Sequence, residues 1–295
     1  MATGLNTSLL ILLIYASLLA YQAQGGRFHP FNPEIWNGSQ SQPLPSEDAR
    51  AHTPYYAVHK TYDGSYFGMV ATMDVYAHSF SDGQATATAI WIASDHNSDV
   101  ESIAVGWEVY PGQYGDSLTH FYTEWTRDSY RRTWCHNMKC PGFHPVSGSQ
   151  ITPGAVIKPV SDVNGSRQKI TVKIVKDPST GDWWIHYGFN SPPKPVGFYP
   201  AKLFESLNKN AARIAFGGGV DVLTSHTRTL PPMGSGYFPS DKAATLSDIS
   251  LIEKNGRTTP INVGTTRIET KSSCYSATPI QGAMFSYGGP GGCSA

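Results

Sequence analysis

Lys169-Ile-Thr-Val-Lys-Ile-Val175 alternates without a fault: Ile170, Val172 and Ile174 share one side, Lys169, Thr171 and Lys173 the other. Successive strand side chains point to opposite faces, so a period of two is the mark of a half-buried β-strand with one wet side. Asp177-Pro-Ser-Thr-Gly181 follows, a run of turn formers, and then Asp182-Trp-Trp-Ile-His-Tyr187. Strand, turn and strand read together as a hairpin. The same texture extends towards the N-terminus in Tyr56-Ala-Val-His59, Ser65-Tyr-Phe-Gly-Met-Val70, Thr86-Ala-Thr-Ala-Ile-Trp-Ile92 and Ile103-Ala-Val-Gly-Trp-Glu-Val109. One stretch looks helical, Pro200 to Leu207, where Leu203, Phe204 and Leu207 fall at i, i+1 and i+4 behind a proline suited to a first turn. No internal repeat is evident. The expected fold class is all-β, an antiparallel β-sandwich with one short helix, forming a single domain over residues 55–295.

Outside that region the chain changes character. Leu9 to Ala20 is uncharged and apolar, and small residues follow at Ala23-Gln24-Gly25. The run is shorter than the roughly 20 residues a membrane span needs and fits a signal peptide cut after Gly25. Residues 26–54, rich in Pro, Ser, Gln and Asn, read as a flexible leader. An exported chain, extracellular or vacuolar, meets an oxidising compartment, so its four cysteines are expected to form two disulfides. Three pairings are open; the local one, Cys135–Cys140 with Cys274–Cys293, is preferred because each bond closes a plausible loop. The rival for Cys135 and Cys140, a zinc site with His136 and His144, needs free thiolates, which export disfavours. Asn37 and Asn164 begin glycosylation sequons.

Lys plus Arg and Asp plus Glu balance at 22 each, with no block of either sign. Nucleic acid and anionic membrane surfaces both call for a basic patch, so neither is an expected partner. No phosphate loop, no Gly-x-Ser-x-Gly elbow and no His-Glu-x-x-His spacing occurs, and neither a metal nor another cofactor is expected. Nothing in the sequence speaks to oligomeric state.

Several strings, in order, carry a resemblance: Gly106-Trp-Glu-Val-Tyr-Pro-Gly-Gln-Tyr-Gly-Asp116, Phe121-Tyr-Thr-Glu-Trp-Thr-Arg-Asp128, Cys135-His-Asn-Met-Lys-Cys-Pro-Gly-Phe143, Lys176-Asp-Pro-Ser-Thr-Gly-Asp-Trp-Trp184, Phe216-Gly-Gly218 and Tyr287-Gly-Gly-Pro-Gly291. Together they resemble the plant neprosin-like (glutamic prolyl endopeptidase) family from about Tyr55 to the C-terminus. The resemblance implies a sandwich with a long groove and two glutamates that cleave peptides beside proline. It places one glutamate in the strand around Gly106-Trp107, at the position of Ala104, and the other after Phe216-Gly-Gly218, at Gly219; this chain has a side-chain carboxylate at neither.

Two carboxyl groups hydrolyse a peptide by dividing labour, one ionised to take a proton from water and one protonated to give a proton. The carboxylates nearest the vacated positions are Glu108 and Asp221, each on the same strand face as the residue it would replace. They are the expected catalytic pair, with Trp107 and Trp125 as aromatic groups that would line the groove or else fill the core. The alternative is a non-catalytic protein whose groove binds proline-rich or glycosylated extracellular polymers.

Overall fold

The computed structural model describes residues 52–80, 82–261 and 264–295. The expected signal peptide, residues 26–51 of the expected leader and the Asn37 sequon lie outside the described residues. The first strands are β1 (His52–Thr61), β2 (Gly68–Asp74), β3 (Gln84–His96), β4 (Asp99–Val109), β5 (His120–Thr126) and β6 (Trp134–His136). There follow β7 (His144–Pro145), β8 (Lys169–Lys176), β9 (Trp183–Phe189), β10 (Lys194–Tyr199), β11 (Arg213–Leu223) and β12 (Met233–Gly234). The last are β13 (Ala244–Ile252), β14 (Thr258–Pro260), β15 (Thr265–Glu269), β16 (Ser276–Ala277) and β17 (Phe285–Gly289). Residues 52–54, expected in the leader, already belong to β1.

These strands build an antiparallel sandwich. One sheet has the order β15-β1-β11-β3-β4-β5-β6, the other β12-β17-β13-β2-β8-β9-β10-β7, with β14 added on β13 and β16 on β17. In β8 every second residue is buried, as the alternation demands, and β8 pairs with β9 across the Asp177–Gly181 turn. Asp177 fastens that turn by accepting the Ser179 and Thr180 amides at 2.8 and 2.9 Å. The inner strands of the first sheet differ. β4 is buried at every position but its first, and β3 along its central run, because both of their faces are covered.

Odd-numbered residues of β4 and β5 point at the second sheet. Ile103, Val105, Trp107, Val109, Phe121 and Trp125 therefore join the inter-sheet core with Met69, Met73, Ile170, Val172, Ile174 and Trp183. This corrects the assignment of Trp107 and Trp125 to the groove: strand parity turns both away from it. Polar pins cross the core, from Trp107 Nε1 to the Asp74 carbonyl at 2.9 Å and between the hydroxyls of Thr123 and Tyr199 at 3.0 Å. Cys135–Cys140 and Cys274–Cys293 are bonded, so neither Cys135 nor Cys140 offers a thiolate to a metal. Asn164 lies exposed in the turn before β8.

The helix expected over Pro200–Leu207 is only a 3₁₀ turn at Ala201–Leu203. Glu101, buried on β4, explains why. Its carboxylate accepts the amides of Glu205, Ser206 and Leu207 at 2.7, 2.8 and 2.8 Å, the N–H groups a continuing helix would have used. Phe204 and Leu207 still reach the core, as their spacing required. The only α-helical segment among the described residues is one turn, α1 (Pro111–Tyr114).

Removing the Glu101 carboxylate leaves three amide donors without an acceptor, at a cost of ~1–3 kcal/mol for such groups. Glu101→Ala is expected to lower the unfolding free energy by about 3 kcal/mol, read from the urea midpoint. An unmoved midpoint would mean that Phe204 and Leu207 alone hold the segment.

Candidate active site

Even-numbered residues of β4 and β5 line the other face of the seven-stranded sheet, and the register sets them in rows. Gly219, Ala87, Glu108 and His120 form one row across β11, β3, β4 and β5. Gly217, Ala89, Gly106 and Tyr122 form the next. Ala215, Trp91, Ala104, Glu124 and His136 form the third, which reaches β6. Glycine and alanine thus pave the middle of the face. At Gly106 the paving is obligatory, since a Cβ there would strike the Thr88 carbonyl and the Ala89 backbone. At Gly219 a Cβ would lie 3.3 Å from the Tyr56 ring, which fills the space above it.

Against this floor stand two carboxylates and an imidazole, none more than 3 % exposed. His136 Nε2 lies 2.7 Å from Glu108 Oε1, and His136 Nδ1 lies 3.4 Å from Glu124 Oε2. Carboxylate oxygens only accept, so serving both requires a proton on each ring nitrogen, and His136 is an imidazolium. Burial alone would strip that charge, but Glu108 and Glu124 outweigh it and raise the histidine pKa to about 9. Glu124 is itself pushed upward, chiefly by burial and partly by Glu108, despite the help of His136. Two neighbouring carboxyl groups therefore share one imidazolium, Glu108 at its Nε2 and Glu124 at its Nδ1.

Hydroxyl groups complete the cluster. Tyr114 at the end of α1 donates to Glu108 Oε1 at 2.6 Å, and Tyr130 donates to Glu124 Oε1 at 3.0 Å. Tyr130 gets there through left-handed backbone at both Ser129 and Tyr130, φ 57° and 62°. Such conformations cost about 1–3 kcal/mol each and gather at functional sites. Tyr122 stacks on His136, with ring centroids 5.7 Å apart. Glu108 Oε2 and the Tyr122 hydroxyl are buried without a hydrogen-bond partner among the described residues. A buried carboxylate oxygen left open is unusual unless it has something to receive.

The expected pair, Glu108 and Asp221, does share this face, but the two do not converge. Glu108 turns towards β6 and His136, whereas Asp221 turns the opposite way to the His52 ring on β1. Nor is either a solvated surface charge: both are buried. The geometry brings Glu124 and His136 together with Glu108 instead. His136 entered the sequence reading only as a rival zinc ligand, and both of its nitrogens are engaged by carboxylates. Glu124 is not one of the expected pair, although a glutamate within Phe121-Tyr-Thr-Glu-Trp-Thr126 has apolar neighbours on both faces, a signal of a buried charge.

The Neprosin family model matches residues 82–290, well over half of the chain. Among solved structures, similarity is found to scytalido-glutamic peptidase with a transition state analog inhibitor, at 10% identity and TM-score 0.43 over 80% of this chain and 98% of that one. A second complex of that peptidase, with a peptide-based transition state analog, matches at 11% identity and TM-score 0.42 over the same shares. SCP-B, a member of the Eqolisin family of peptidases in complex with the tripeptide Ala-Ile-His, matches at 12% identity and TM-score 0.40, again over 80% and 98%.

Because the folded pKa of His136 lies above its ordinary value of 6.5, its contribution to stability is complete below about pH 6.5 and fades as the pH climbs through about 9. The unfolding free energy of the wild type is expected to fall across that window more steeply than that of His136→Gln. Parallel curves from denaturant titrations over the window would show that the imidazole is not held charged by the two carboxylates.

Proposed function

The chain belongs to the Neprosin family, and we propose that it is an exported acid peptidase whose two carboxyl groups are Glu108 and Glu124, linked by His136. The observation that carries this reading is the open Oε2 atom of Glu108, buried on a face paved with glycine and alanine. A peptide laid along such a floor meets backbone rather than bulky side chains. A water molecule held by Glu108 Oε2 and the Tyr122 hydroxyl would be the nucleophile. Glu108 takes its proton, and Glu124, protonated in mild acid, supplies one to the leaving nitrogen. The His136 imidazolium lets both carboxyl groups occupy one buried site. Cleavage beside proline is the specificity implied by the resemblance. Export agrees with the two disulfides and with the apolar N-terminal run. No helix among the described residues is long and apolar enough to cross a membrane.

A second reading rests on Ala104 and Gly219, the two positions from which the expected glutamates are missing. In it the same face binds proline-rich or glycosylated polymers without cutting them. Purified protein and a proline-containing quenched peptide between about pH 2 and 5 decide between the two. Cleavage is expected in the wild type, with a loss of at least ~10²-fold in Glu108→Gln and in Glu124→Gln and little change in Asp221→Asn. Peptide binding with no turnover in the wild type would establish the second reading.

A further inference from the structure

We propose that Tyr114 is the hydrogen-bond donor to the oxyanion formed during hydrolysis, with Asn137 as its positioning residue; this rests on the peptidase reading of the Glu108 site. Glu108, Glu124, His136 and Asn137 are buried, whereas Tyr114 is only half-buried. It is the member of the cluster that an entering peptide meets first.

Its hydroxyl is unusually well defined. The α1 turn ends at Gly115 in left-handed backbone, φ 78°, with the Gly115 amide bonded to the Pro111 carbonyl at 2.8 Å. The Tyr114 ring lies flat on His120, centroids 3.7 Å apart and planes 2° from parallel. His120 is pinned in turn by the Gly154 carbonyl at 2.8 Å and by Asp116 at 3.0 Å. The Tyr114 oxygen accepts from Asn137 Nδ2 at 2.8 Å. The orientation of that amide is not arbitrary, because Asn137 Oδ1 accepts the Thr123 amide at 3.1 Å. Asn137 holds this pose with left-handed backbone, φ 53°. With Asn137 as its donor and Glu108 as its acceptor, the Tyr114 O–H has one direction, into the cluster. Burial and the charge of Glu108 push its pKa far above the usual phenol range, so it stays a neutral donor at any working pH.

The step balances as follows. The water oxygen bonds to the carbonyl carbon, its proton passes to Glu108 Oε2, and the C=O π pair moves onto oxygen. The Tyr114 hydroxyl shifts its hydrogen bond from Glu108 Oε1 to that oxyanion and keeps its proton. When the intermediate collapses the oxyanion pair re-forms C=O, the C–N pair goes to nitrogen, and the nitrogen leaves with a proton from Glu124; Glu108 then loses and Glu124 regains a proton by exchange with solvent.

Tyr114→Phe keeps the ring and its stacking and removes only the hydroxyl. The expected result is a fall in kcat of about 10²-fold with KM nearly unchanged. A phosphinic peptide, which mimics the tetrahedral intermediate, should lose affinity by the same factor, while an uncleavable ground-state peptide should not. Equal weakening of both ligands, or an unchanged kcat, would overturn the assignment. Should Tyr114→Phe not fold, Asn137→Gly, which suits the left-handed backbone and frees the hydroxyl, is expected to lower kcat by a smaller factor at constant KM; no change there would be equally fatal. A wild type without turnover, or an active Glu108→Gln, sinks the peptidase reading and this role with it. An active wild type with a dead Glu108→Gln and an unaffected Tyr114→Phe sinks this role alone.

Discussion

Two carboxylates cannot be taken out of water side by side without a cation to hold them, and His136 is that cation. The desolvation penalty for each buried ion is several kcal/mol, offset only by close contacts and full hydrogen bonding. The imidazole reaches both carboxyl groups because its two nitrogens point in opposite directions, one to Glu108 and the other to Glu124. The surrounding construction follows from keeping it there. β6 is three residues long and pairs with β5 so that His136 stands beside Glu124. The Cys135–Cys140 bond closes the loop immediately after it. Asn137, the next residue, bonds Thr123 through both its backbone and its side chain. A histidine at the end of so short an edge strand would otherwise fray into solvent.

The sheet that carries the cluster is buried on both faces, and it separates two kinds of chemistry. From Ile103 onward, odd positions of β4 and β5 supply mainly large apolar groups to the inter-sheet core, and even positions supply mainly small or ionisable ones to the opposite face. Packing therefore fixes the register, since a slip of one residue would send Trp107 to the carboxylate face and Glu108 into the core. The precision of the site is borrowed from the hydrophobic effect, the least directional force in the molecule. The hydroxyl pins across the sandwich, such as Thr123 to Tyr199, limit sliding of one sheet over the other.

Much of this was legible in the residues. The alternation of β8 announces the sandwich, the turn at Asp177–Gly181 forms as its side chains predict, and the local cysteine pairing is the one observed. Strand parity also set Ala104, Gly106 and Glu108 on one face with Gly219 and Asp221. What escaped notice depended on contacts distant in sequence. Leu203, Phe204 and Leu207 have helical spacing, but Glu101, about a hundred residues earlier, takes the amides of Glu205, Ser206 and Leu207. Asp221 lies on the correct face and still fails as a partner, because β1 brings His52 to it. Glu124 and His136 are separated by twelve positions with a loop between them, and only the pairing of β5 with β6 makes them neighbours.

The register also relates the site to Gly219 and Ala104, where the resemblance places glutamates. From Gly219 to Ala104 the displacement is two strands across and two rows along, from β11 to β4. From Glu108 to His136 it is again two strands and the same two rows, from β4 to β6. Neighbouring strands of a sheet twist with one hand, so parallel diagonals on one face curve in the same sense. Glu124 stands directly across the β4–β5 ladder from Ala104, at the distance where cross-strand side chains touch. Glu108, Glu124 and His136 thus gather towards the β6 end of this face, and the Tyr56 ring lies against Gly219 at the other. Glycine and alanine in the middle of the face leave the room in which these ionisable side chains gather.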